Sequence, residues 1–254
     1  MRFKQYLTEK TFAIGADVDY IYKKFFKRFI NNVSKGEIKN FPVIKFSSSE
    51  LKSKKAQKAH KENPVTIYTG VFNTSAYIPF KSEIKLSLNG SVIDILKKHN
   101  IKEIEQMLGH DEFKRFMNEL TPPTVKSTIY HELSHWISDT LYNKNITKRM
   151  GKAKEKNDYS LMLKFGETYF TDYELDAQVH AIKQLKRDYS KEWESLTWGD
   201  IITKKSSFHV VGKALKKAPK KAREDYRKRM IKRLNREKLL GKNMMNTFKD
   251  FYEV

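Results

Sequence analysis

Thr128-Ile129-Tyr130-His131-Glu132-Leu133-Ser134-His135-Trp136-Ile137 sets two histidines four residues apart, with a glutamate beside the first. Thr121-Pro122-Pro123 punctuates the chain just upstream, and proline suits the first turn of a helix. The pattern predicts a helix over about 124–142. Residues four apart share a helix face, so the ring nitrogens of His131 and His135 can converge on one metal ion. Glu132 can then reach a water on that ion without being a ligand itself. Val125, Ile129, Leu133, Trp136 and Tyr142 supply apolar faces, which predicts that the helix is buried. Two histidines and a glutamate in such a place are costly unless something pairs with them. A metal does that; the competing reading is a pair of satisfied structural histidines.

Upstream of this helix the pattern changes twice. Val18, Ile21, Tyr22, Phe25, Phe26, Phe29 and Ile30 recur at helical spacing over 17–30. Residues 41–46 read as a short strand, and Ser47-Ser48-Ser49-Glu50 supplies capping residues for a Lys-rich helix that fades by Asn63-Pro64. Alternating, β-branched runs at 65–72 and 83–88 predict strands of a small antiparallel or mixed sheet, and Asn89-Gly90 predicts a turn. From there to Leu120 the periodicity is helical, over 92–99 and 101–120. Downstream, 143–158 reads as a polar, basic loop, followed by a helix over 171–193, the segment 200–204 and a long basic helix over 218–240. The order is helix, small sheet, then helices: an α+β chain.

Composition narrows the chemistry. A length of 254 residues allows one compact domain with appendages or two small ones. No run reaches the roughly 18 apolar residues of a spanning helix, and the first ten residues lack the apolar stretch of a secretory signal. The expectation is a cytoplasmic chain with no membrane contact. There is no cysteine, so thiolate ligands are excluded and any metal must be held by His, Asp or Glu. The net charge of +21 favours polyanionic partners; solubility with a biased composition is the plainer account.

The stretch at 128–137 resembles the active-site helix of the zincin metallopeptidases, which bind zinc and hydrolyse peptide bonds. The resemblance covers about 83–181 and implies a zincin-like fold, with the sheet at about 40–90 and the metal-site helices at about 121–194. It also implies an endopeptidase acting on polypeptide, with zinc on three protein ligands and Glu132 as general base and acid. In gluzincins the third ligand is a Glu on a later helix, which here points to Glu174, 39 positions after His135. Periodicity puts Ala177, Gln178 and Ala181 on the face of Glu174, small enough at two positions for close helix approach. Glu174-Leu175-Asp176-Ala177 is also similar to the Glu-x-x-Ala motif of several gluzincins. Those families often carry Asp four residues after the ligand, supporting a histidine; this chain has Gln178. Asp139, Asp176 and His180 remain rival ligands. Zincins also use an oxyanion donor, for which Tyr169, shortly before Glu174, is taken first; Tyr173, His180 and His209 are the others. They dock substrate along a sheet edge, and 83–88 is the expected edge strand.

Two features lie outside that span. Residues 213–238 hold 13 Lys/Arg against 3 Asp/Glu, with Tyr226, Met230 and Leu234 recurring every four residues. This predicts a basic helical extension over 211–254, beyond a metallopeptidase domain at 1–210. Its apolar stripe docks the helix, and its charged face is either solvated or a contact surface for an acidic protein or nucleic acid, without base reading. The opening Met1-Arg2-Phe3-Lys4-Gln5-Tyr6-Leu7-Thr8-Glu9 resembles the N-terminal segments of head-packaged proteins of contractile-tailed phages, where a hydrophobic-x-Glu ending is cleaved on maturation. That resemblance implies a phage-encoded peptidase, placed in the host cytoplasm or the virion. The alternative function is a non-enzymatic structural or virion-associated protein with a vestigial or structural metal site.

Overall fold

The computed structural model describes residues 14–33, 35, 41–72, 75–88, 90–113, 116, 123–141, 172–201, 211 and 215–250. The chain is α+β, helices with one small mixed sheet, and it divides into two units. The first unit comprises Met1–Thr121 with Trp136–Lys144; the second comprises Pro122–His135 with Asn145–Val254.

The first unit opens with helix α1 (Ile14–Ile21), which passes through a π-helical stretch (Tyr22–Lys27) into α2 (Arg28–Val33). Ile14, Val18 and Ile21 form its buried stripe, and Asp17, buried among them, accepts from the backbone N–H groups of Lys52 and Ser53. Strand β1 (Val43–Ile44) leads to a 3-10 turn (Ser48–Glu50) and helix α3 (Lys54–Glu62). The capping signature at Ser47 and Glu50 closes on the 3-10 turn, with Ser47 N–H donating to Glu50 Oε2 at 2.8 Å. The Lys-rich helix takes its cap from Ser53, whose hydroxyl accepts from Ala56 N–H at 3.0 Å. Ser53, and not the expected 47–50 cluster, is therefore the cap of the Lys-rich helix.

Strands β2 (Thr66–Gly70), β3 (Ala76–Ile78) and β4 (Glu83–Ser87) complete a sheet of order β1-β2-β4-β3. After β2 the chain swings outward to β3, turns at Pro79–Lys81 with Ser82 in the left-handed region at φ 49°, and returns as β4 between the two. Hence β4 is parallel to β2 and antiparallel to β3, and the sheet is mixed. This overturns the expectation that 83–88 forms an edge, because both sides of β4 are paired; the edges are β1 and β3. Three residues ahead of a proline were too few to show β3 by alternation. Ile67, Ile84 and Leu86 turn one face of the sheet inward.

Gly90 begins helix α4 (Gly90–Lys98), and Asn100 caps α5 (Ile101–Leu108); Gly109, at φ 74°, interrupts the expected 101–120 helical run, and the described residues 110–113 and 116 are helical again. The motif helix α6 (Pro123–Leu141) belongs to both units. In the first unit its Trp136 is fully buried and donates from Nε1 to the Asn63 carbonyl at 3.0 Å.

In the second unit, helix α7 (Asp172–Asp188) contributes Leu175, Val179, Ile182 and Leu185 to one core. Trp193 and Trp198 join it, as do Tyr226, Met230 and Leu234 of α8 (Lys220–Arg236) and Met244 of α9 (Lys242–Asp250). The every-fourth stripe of α8 is therefore buried as expected. Gly241 lets the chain pass Trp193, since a Cβ there would stand 2.7 Å from its carbonyl oxygen. Among the described residues, no helix is long and apolar enough to cross a membrane. The 143–158 segment and the Leu7-Thr8-Glu9 signature lie outside the described residues.

Candidate metal centre

Four-residue spacing on α6 turns His131 and His135 to the same side, with their Nε2 atoms 3.0 Å apart. The rings stand nearly perpendicular, at 86°, with centroids 4.6 Å apart. Glu174, in the first turn of α7, closes the triangle: Oε2 lies 3.2 Å from His131 Nε2, and Oε1 lies 3.3 Å from His135 Nε2. Among the described residues this is the one group of three His or acidic side chains able to hold an ion. A four-coordinate zinc with ligand bonds near 2.0–2.2 Å separates its donors by roughly 3.3 Å. The separations of 3.0–3.3 Å, those to Glu174 reaching one oxygen for each histidine, are near that value, and one ligand atom from each residue lies within 4.8 Å of the other two.

Local packing explains why these two helices meet here. Ala177 and Ala181, on the face of Glu174, are buried and leave room for a close approach. Lys126 Nζ pairs with Asp188 Oδ1 at 3.4 Å, and the Tyr130 ring stacks on His180 at 5.6 Å with a 7° interplanar angle. Positions rising along α6 thus pair with positions falling along α7, so the helices run antiparallel with their register braced at both contacts. Sequence reading missed these braces. The available signal was that Lys126 and Tyr130, four residues apart, lie on one face of α6.

The electrostatics suit a cation. Burial alone pulls the His131 imidazole down, but the Glu174 hydrogen bond and the charges of Glu132 and Glu174 outweigh it and leave its pKa raised. Burial pushes the Glu174 carboxyl up, yet the neighbouring His135 and His131 hold it well below the usual carboxylate range. Glu174 is therefore an anionic donor at neutral pH. The His131 ring also hydrogen-bonds the Ala177 main chain, an outer contact of the kind that orients metal-binding histidines. Glu132, buried between the two histidines in sequence, lies close enough to bias His131 by its charge.

The rival residues are engaged elsewhere. Asp139 accepts from the Tyr77 hydroxyl at 3.1 Å. Asp176 pairs with Arg233 at 2.8 Å instead of facing solvent, and His180 lies in the Tyr130 stack. Gln178, where gluzincins often have an aspartate on a histidine, accepts from Tyr226 of α8 at 3.0 Å. Tyr169, His209 and the Tyr173 side chain lie outside the described residues. No family model matches the chain, and no curated protein or solved structure does either.

Proposed function

We propose that the chain is a zinc metallopeptidase of gluzincin type, with His131, His135 and Glu174 holding the ion and Glu132 as general base. The convergence of three donors from two helices carries the reading. Two imidazoles and a carboxylate, with no thiolate in the chain, form a donor set suited to zinc. Three protein ligands also leave a coordination position open, as catalytic sites do. Zinc bound there supplies Lewis acidity, lowering the pKa of a water towards about 7 and polarising a peptide carbonyl.

The protein's own groups divide the remaining work. His131, held by the Ala177 main chain, and His135, on the same face of the buried helix, fix the geometry. Glu132 takes the proton released as the water oxygen bonds to the carbonyl carbon. It returns that proton to the amine nitrogen as the C–N bond breaks. Tyr169 is the proposed oxyanion donor. The resemblance of 128–137 to zincins favours a peptide bond over other hydrolysable substrates.

The test is metal analysis of chain purified without chelator, paired with assays on an unfolded polypeptide. About one zinc per molecule is expected, with His131→Ala abolishing it. Glu132→Gln should keep the zinc and lose about 10²–10⁴-fold in activity. A metal-free wild type overturns the proposal, and an undiminished Glu132→Gln variant removes Glu132 from the mechanism.

A further inference from the structure

We infer that the outer face of α8 binds the phosphate backbone of nucleic acid without reading its sequence, an activity separate from the proposed peptidase. The argument begins with the helix itself. At about 100° per residue, Lys221, Lys228 and Lys232 fall within roughly 20° of one line along α8. The buried stripe of Tyr226, Met230 and Leu234 falls on the opposite side. All three lysines are exposed, and they span about 16 Å of helix axis.

The distribution of acids sharpens this row. Asp225 pairs with Arg229 at 2.9 Å, Asp176 with Arg233 at 2.8 Å, and Glu237 with Lys183 at 2.7 Å. These three carboxylates neutralise cations on the flanks and beneath the helix, and the exposed Glu224, three residues after Lys221 and four before Lys228, is outnumbered by the lysines of the row. Lys221, Lys228 and Lys232 form no ion pair among the described residues, and Lys216, Lys217 and Lys220 add exposed charge just before the row. The α8 face is a local excess of positive charge, beyond the +21 spread over the chain.

What it lacks selects the partner. Protein interfaces depend on aromatic or apolar anchors and are depleted in lysine at their centres. The apolar residues Tyr226, Met230 and Leu234 of α8 are committed to its own core, so the exposed row offers no anchor. A membrane-surface helix likewise needs an exposed apolar face to insert. A polyphosphate needs neither, because counterion release from phosphates is sufficient for non-specific affinity. Lysine, a point charge with free rotation, suits such geometry-tolerant contacts.

The experiment is anisotropy of a fluorescent random-sequence DNA duplex titrated with the full chain between 50 and 200 mM salt. The wild type should bind with log K falling linearly in log salt. Lys221→Gln/Lys228→Gln/Lys232→Gln should weaken binding at least tenfold at low salt and reduce the slope by roughly 2–3, about 0.9 per lost phosphate contact. The matched control is Lys54→Gln/Lys58→Gln/Lys61→Gln on α3, exposed lysines outside the row, which should keep most of the slope. Absent binding, equal losses in both triple variants, or preference for polyglutamate or anionic vesicles over DNA would each overturn the inference. Thermal melts of both variants establish that they fold.

Discussion

At Glu50 four donors meet on one half-buried carboxylate: Lys24 Nζ and the Tyr20 hydroxyl on Oε1, each at 2.7 Å, and the Ser47 N–H and hydroxyl on Oε2 at 2.8 and 3.3 Å. The lysine contact leads in holding its pKa down at about 2, from an ordinary 4.5. A carboxyl lowered on folding adds stability above its unfolded value, which is lost as pH falls through the folded one. The melting-temperature advantage of wild type over Glu50→Gln should therefore hold from pH 7 to about 4.5 and shrink towards pH 2. An advantage unchanged at pH 2 would contradict this account. Glu174 is held ionised by a different route, two histidines working against deep burial. Sequence exposed both carboxylates unequally. Ser47 and Glu50 were legible as a cap because the signature is local, but which helical turn they close depends on where the chain bends next. Glu174 came from the resemblance to gluzincins, with its alanine-lined face in support, whereas the contact of the Ala177 main chain with His131 is backbone geometry that side-chain patterns do not carry.

Helix α8 shows how much one element's stripe can decide. Tyr226, Met230 and Leu234 are buried to 1% exposure or less, and the Tyr226 hydroxyl reaches Gln178 across the helix pair. Met230→Ala should cost about 2–5 kcal/mol through lost burial and the cavity left behind. Lys228→Ala, on the solvent side of the same helix, should stay within about 0.5 kcal/mol. Urea midpoints of the two variants check the contrast; similar shifts would mean the stripe is not what docks α8. A stripe repeating every four residues is readable because it is long and one-sided. The sheet was readable only in part. β2 and β4 alternate and are β-branched, but the insertion of β4 between β2 and β3 follows from a three-residue strand and a left-handed Ser82. Neither leaves a periodic trace, so the edge was assigned to the wrong strand.

For the molecule, the consequential fact is where the three donors fall. His131 and His135 lie in Pro122–His135 and Glu174 in Asn145–Val254, so all belong to the second unit, while Trp136 onward in the same helix belongs to the first. The charge excess that marks 211–254 in sequence sits on a segment whose apolar residues share a core with α7, which charge patterning alone does not reveal. An ion that binds the folded state but not the unfolded one stabilises by mass action, by about 4 kcal/mol at a thousandfold excess over its dissociation constant. Acting through those three donors, the proposed zinc should bear on the segments that present them. Chelation is therefore expected to raise amide hydrogen exchange in residues 123–135 and 172–188 by several-fold or more, while β2 and β4 of the first unit change little. Equal deprotection of Thr66–Gly70 and Asp172–Asp188 would show that the metal stabilises the chain as one cooperative body. No change in either segment would show that His131, His135 and Glu174 are not held by an ion at all.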